Sequence, residues 1–298
     1  MVLMNVKRLV PLLLTALLAV GCAPSSSDKP SVVTSTYAFE YAASRVAGDY
    51  AEVIDVLPRG SDAHGLELTG KQTAAIADAD VIVHLPGFQP QMDDAVTQSS
   101  HDHVVDPSQF LTMRHPGSSE AADDSYADPH VWLDPSNVAA IGTHIAELLG
   151  EVDPDHRDAY SANAKALSSD MAALDAEFAD GLTQCTIDSF IVNHAAFGYL
   201  ADKYHLKQVG IVGLSTEQEP SPARIAQIQQ TAQELGVTTI FYEQAVSSKM
   251  ADAIANDLGL STDVLDPLET ISDQSRGEDY PAVMRSNLEA LRKANECR

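Results

Sequence analysis

Midway along the chain Tyr160, Ala164, Leu167, Met171, Leu174 and Phe178 stand four, three, four, three and four residues apart. That spacing places one apolar stripe on one face of a long helix. Asp153-Pro154 supplies its opening, and the segment from 154 to 181 contains 28 residues, a start that suits proline in the first turn. At the standard helical rise this is about 42 Å, enough to run down the side of two neighbouring lobes. A chain built round such a strut carries a folded unit on each side of it.

Both sides read as the same alternation of short β-branched runs and helical stretches. In the first half the expected strands are 31–34, 51–57 and 80–85, with helices at 38–47, 69–77 and 136–149. In the second half they are 189–193, 208–212, 238–242 and 263–265, with helices after His194, Ser221-Pro222 and Ser247. Continuous apolar runs such as Val81-Ile82-Val83 suit parallel strands covered on both faces;. The expected fold class is α/β, two Rossmann-like lobes with parallel-rich central sheets joined by one long rigid helix.

The N-terminus reads as a targeting segment. Lys7 and Arg8 precede an apolar run ending at Val20, then Gly21-Cys22. The run is too short to span a bilayer with normal flanks, and small residues before a cysteine look like a lipobox, with Cys22 the lipidated first residue after cleavage. Ala19 stands where such boxes usually carry Leu. The expected organisation is a signal peptide at 1–21, a lipidated tether at 22–30, an N-terminal lobe at 31–152, a linker helix at 153–182 and a C-terminal lobe at 183–298.

Removing 1–21 deletes two positive charges and no negative ones, taking the formal charge from −25 to −27. Such a field repels nucleic acid and gathers cations. With Cys22 lipidated, Cys185 and Cys297 remain as an even pair in an oxidising compartment, natural partners for a disulfide;.

Four potential metal ligands, His64, His130, His194 and Asp266, lie beside expected strand ends or helix starts. Side chains there converge on a common cleft when two α/β lobes face each other. A lone histidine at such a junction is more often a structural hydrogen bonder. Two Asp-Pro steps, Asp128-Pro129 and Asp134-Pro135, bracket His130 and stiffen its backbone, and the three partners favour a ligand;. Glu67, Glu219 and Glu243 are candidate partners of the histidines, whereas His84, His144, His156 and His205 have no assigned role. The stretch 99–128 breaks the pattern and gathers His101, His103 and His115 among acidic residues, a candidate accessory metal loop;.

At these residues the chain resembles the cluster A-I metal-binding proteins of ABC importers, the zinc-specific ZnuA-like branch of the TroA-like fold. The matching stretches are Asp62 to Thr69, Asp128 to Pro135, Asn193 to Tyr204, Glu219-Pro220-Ser221, and Tyr242 to Lys249 leading into Leu265-Asp266-Pro267-Leu268. The resemblance runs from about Ser31 to the C-terminus. It implies that His64, His130, His194 and Asp266 are the ligands, two from each lobe, and that the long helix permits modest lobe movement. It further implies a lipid-anchored, extracytoplasmic monomer that carries Zn2+ as its transported ligand to an ABC permease in the membrane and has no catalytic role.

Three imidazoles and one carboxylate suit zinc. Manganese-importing relatives place a carboxylate where His194 stands, so a manganese receptor is the nearer alternative. A secreted zinc hydrolase with Glu243 as base lacks the His-Glu-x-x-His spacing. An adhesin or scaffold using the metal for stability alone is a third reading.

Overall fold

The computed structural model describes residues 29–115, 127–216, 219–244 and 247–298. The expected signal peptide, Cys22 and most of the tether lie outside these residues, as does 116–126 of the acidic loop.

Two four-stranded sheets, every pairing parallel, organise the chain. The first has the order β2 (Glu52–Asp55), β1 (Ser31–Thr34), β3 (Val81–Val83), β4 (Val104–Val105). The second repeats it as β6 (Lys207–Gly210), β5 (Ser189–Val192), β7 (Thr239–Tyr242), β8 (Ser261–Val264). In each sheet the strand order reverses beside the first strand of its half, the kind of switch point at which loops from the carboxyl ends of strands part to form a crevice.

Helices α1 (Tyr37–Ala47), α2 (Gly70–Ala77), α3 (Pro90–Ser99) and α4 (Pro135–Val152) belong to the first half. The second half carries α6 (Gly198–Lys203), α7 (Pro222–Leu235), α8 (Lys249–Leu258) and α9 (Tyr280–Ala294). Local chemistry sets their starts. Thr69 and Gln72 form a reciprocal capping box on α2;. Asp134 and Ser221 cap helices whose first residue is proline;.

Between the halves a 3₁₀ turn, Pro154–His156, leads into α5 (Arg157–Gly181). Its buried residues are Tyr160, Ala164, Leu167, Met171, Leu174 and Phe178, the stripe read from the sequence. Gly142 of α4 lets α5 approach closely, because a Cβ there would lie 2.5 Å from Leu167 Cδ2. Further along, Phe178 stacks on Tyr204, and Glu177 pairs with Arg285 of α9.

The stretch 99–128 differs from the expected structureless loop, since it contains β4 and a 3₁₀ turn at Pro107–Gln109. A two-residue strand is too short to carry an alternating pattern. Helix α3 likewise escapes a reading by apolar periodicity, because only Met92 and Ala95 are buried along it.

One hydrophobic core runs through the first sheet, α4, α5, α9 and the junction of the lobes, and a smaller one lies under α7 and α8. At the junction Trp132 Nε1 donates to Pro267 O at 2.7 Å, Tyr280 Oη donates to Trp132 O at 2.6 Å, and Tyr37 N donates to Glu269 O at 2.9 Å. The lobes therefore share packing at their junction. A disulfide joins Cys185 to Cys297, closing 112 residues and tying the end of α9 to the chain before β5. Among the described residues no helix is long and apolar enough to cross a membrane.

Candidate metal centre

Each half of the molecule sends two ligand-type side chains from the carboxyl ends of its strands into the junction. His64 follows β2, His130 follows β4, His194 comes two residues after β5, and Glu269 follows β8. One donor atom from each lies within 4.8 Å of the others, and among the described residues this is the only such group. Glu269 Oε1 is 2.9 Å from His130 Nε2, 3.2 Å from His64 Nε2 and 3.4 Å from His194 Nε2. The Nε2 atoms of His130 and His194 are 3.3 Å apart.

The backbone presents these groups through repeated Asp turns. Asp62 Oδ1 accepts from His64 N at 2.9 Å, and Asp128 Oδ1 accepts from His130 N at 3.0 Å. An Asp side chain that captures the amide two residues on fixes a tight turn without further secondary structure. His130 then leads into a 3₁₀ turn, Val131–Leu133, and α4. His194 sits in a bend, and the helix expected after it, α6, begins four residues later at Gly198.

Carboxylates behind the histidines orient two of the rings. His130 Nδ1 lies 2.8 Å from Asp128 Oδ1, and His194 Nδ1 lies 2.9 Å from Glu243 Oε1. An ionised carboxylate only accepts, so each Nδ1 carries the hydrogen and each Nε2 is left facing the centre. Phe88 meets His64 edge-on at 5.0 Å, and Trp132 meets His130 at 5.5 Å, walling the centre with apolar rings. His130 is fully buried and His194 is 2% exposed.

Burial alone pulls the pKa of His130 down, but Asp128 and Glu269 reverse this and the net shift is upward. His194 follows the same logic, with Glu243 and Glu269 raising it well above its ordinary value. Burial pushes Glu269 up, yet the three imidazoles outweigh it and hold this carboxyl well below the usual range. The centre thus stabilises positive charge among buried carboxylates, whether that charge is a proton or a metal ion.

Asp266 departs from its expected place among the ligands. The carboxylate that meets the three histidines belongs to Glu269, three residues later. Asp266 Oδ1 accepts from Leu268 N at 2.8 Å and so holds Leu268 at φ 57°, in the left-handed region;. That turn swings Glu269 inward. Burial drives the Asp266 carboxyl up to about 6, against the Leu268 hydrogen bond. A small cavity beside it is lined by Glu243, Gln244, Asp266, Glu269 and neighbours.

The three loop histidines do not gather into a second centre among the described residues. His101 Nε2 lies 2.7 Å from Ile76 O, His103 faces Glu151 at 3.9 Å, and His115 is exposed beside the undescribed part of the loop. Of the other acidic candidates, Glu243 backs His194 as described. Glu67 and Glu219 have no part in the group.

The family profile described as zinc-uptake complex component A, periplasmic (ZnuA), matches residues 32–294. The zinc-binding lipoprotein AdcA of Streptococcus pneumoniae is 33% identical over 299 residues, which cover 95% of this chain and 60% of that protein. The chain thus matches well under two thirds of the length of that relative. The high-affinity zinc uptake system protein ZnuA of Bacillus subtilis is 34% identical over 287 residues, covering 91% of this chain and 89% of that one. Among solved structures, the laminin-binding protein Lmb of Streptococcus agalactiae, described as bifunctional with adhesin and metal transporting activity, superposes with a TM-score of 0.79. It is 33% identical and covers 89% of this chain and 99% of that one. Two parallel-sheet lobes, three histidines at their junction and a profile match over nearly all of the described chain place this protein in the ZnuA family of zinc-uptake component A proteins.

Proposed function

We propose that the chain is an extracytoplasmic zinc receptor that captures Zn2+ between its two lobes and delivers it to an ABC permease. The observation that carries this reading is the convergence of three imidazole Nε2 atoms and one carboxylate oxygen within 4.8 Å. Borderline nitrogen donors with a single anionic oxygen fit the four-coordinate preference of zinc. The names of the relatives, a zinc-binding lipoprotein in AdcA and a high-affinity zinc uptake system protein in ZnuA, agree with it.

His64, His130, His194 and Glu269 are the proposed ligands, with zinc as cargo. A first shell filled by four protein donors leaves no position for an activated water, which suits carriage and release. Glu243, the one carboxylate offered as a catalytic base, is occupied in orienting His194. The signal peptide at 1–21, lipidation at Cys22, the tether at 22–30, the division into lobes at 31–152 and 183–298 with a linker at 153–182, and a monomeric state complete this reading. Among the described residues, an accessory metal role for the loop of His101, His103 and His115 has no converged donor set behind it.

Manganese, a harder ion, favours a shell richer in oxygen than three imidazoles allow. X-ray absorption spectroscopy on the zinc-loaded protein tests the assignment. Four scatterers at zinc–nitrogen and zinc–oxygen distances, with multiple scattering from three imidazoles, are expected; a six-coordinate shell with fewer imidazoles would contradict it.

A further inference from the structure

We infer that Arg114 is a cross-lobe clamp which, through Asp128, holds the His130 ring in its ligating position while the lobes are together. The inference rests on the zinc-receptor reading and concerns how that same centre lets go of its ion.

Arg114 belongs to the first lobe, and its guanidinium reaches into the second. Its Nε donates to Asp202 Oδ2 of α6 at 2.8 Å, and its Nη1 is 3.4 Å from Asp128 Oδ2. Its backbone amide donates to the Tyr199 hydroxyl at 2.8 Å, and that hydroxyl donates to Asp128 O at 3.1 Å. Asp128 N in turn donates to Arg114 O at 2.8 Å. Two residues of α6, Tyr199 and Asp202, therefore hold Arg114, and Tyr199 holds the backbone of Asp128 as well.

Asp128 connects this clamp to the metal centre. It is fully buried, and its Oδ1 takes both His130 N and His130 Nδ1. Its Oδ2 is directed to Arg114. A buried carboxylate stripped of a charged partner is costly and relaxes by turning away. That movement weakens the hold on His130 Nδ1, and outer partners of this kind are worth about 10 to 100-fold in metal affinity. Separation of the lobes would draw Asp202 and Tyr199 away from Arg114, so ligand orientation and lobe closure are coupled through one side chain.

Gly198, the first residue of α6, provides the seat. A Cβ at this position would lie 2.5 Å from the Arg114 Cζ and Nη1 atoms. Alanine there displaces a flexible side-chain end and clashes with no backbone atom among those nearest, so the fold survives while the guanidinium moves. The substitution keeps the positive charge, which matters because charge and position act in opposite senses. A cation near the centre repels zinc, and its removal alone tightens binding; loss of the clamp speeds release.

The test is zinc association and chelator-driven zinc release by stopped flow, on the full zinc-loaded protein with Gly198→Ala and Arg114→Gln. Both variants are expected to release zinc roughly tenfold faster with association unchanged. The metal-free Tm of Gly198→Ala should match that of the parent, which separates positioning from a loss of folding. Parental release rates in both variants would overturn the clamp, as would slower release in Arg114→Gln with no change in Gly198→Ala, the signature of charge alone. A parent protein that takes up no zinc would overturn the receptor reading itself, and the clamp with it.

Discussion

His130 and His194 approach each other from opposite lobes with their Nε2 atoms 3.3 Å apart, while each Nδ1 rests on its own buried carboxylate. With both Nδ1 hydrogens committed, two neutral rings would direct lone pairs at each other and at Glu269. A proton or a metal ion between them removes that conflict. Without a metal, the neighbouring carboxylates outweigh burial and shift both histidines upward, while the three imidazoles outweigh burial and shift Glu269 downward.

This has a pH signature. A histidine raised above its ordinary 6.5 in the fold stabilises the protein below that value and loses the contribution as pH rises through its folded pKa;. Glu269, lowered from 4.5, contributes above that value and is lost only as pH falls through its depressed folded pKa;. The Tm of metal-free protein should therefore fall as pH rises from 6.5 towards 8;. Zinc must displace the protons, so its affinity should rise over the same interval. Thermal melts and zinc titrations across that range check both; a metal-free Tm that climbs towards pH 8 would contradict the protonated centre.

Glu269→Gln and Asp266→Asn decide which carboxylate is a ligand. The first removes the anionic oxygen that meets three imidazoles, and a loss of zinc affinity of about 100-fold or more is expected, at least the effect of losing an outer partner. The second keeps an oxygen able to accept from Leu268 N, so zinc affinity should change by only a few-fold. Isothermal titration of the two variants reads the difference directly. A larger loss in Asp266→Asn would return Asp266 to the first shell.

The sequence reading and the structure part company at this point for a physical reason. His64 and His130 each follow an Asp by two residues, and in both cases the Asp makes the turn while the histidine faces the shared centre. Asp266-Pro267-Leu268-Glu269 uses the same device, with the carboxylate that meets the three histidines one residue further on. Reading Asp266 as the turn former by analogy with Asp62 and Asp128 would have pointed to Glu269. The α5 stripe, the strands and the three histidines were legible because periodicity and strand ends are local signals. The Arg114 contacts with Asp128 and Asp202 were not, since they join positions up to 88 residues apart and depend on how the lobes meet.

The disulfide makes a separate prediction. Its loop of 112 residues restricts the unfolded chain, and its removal by Cys185→Ser with Cys297→Ser should lower stability by about 2 to 5 kcal/mol. The metal centre lies at the opposite ends of the strands of the second sheet, so zinc affinity should stay within a few-fold. Denaturant unfolding together with zinc titration checks the pair; unchanged stability would show that α9 holds its place without the bond.

The receptor reading depends on the proposal that three imidazoles and Glu269 form one zinc-selective site per chain. The most direct measurement is calorimetric titration of the metal-stripped chain with zinc and manganese in competition, supported by metal analysis. One tight zinc per chain, weak manganese binding and loss of the tight event in His130→Ala are expected. A clear manganese preference, or a tight zinc event that survives His130→Ala unchanged, would contradict it.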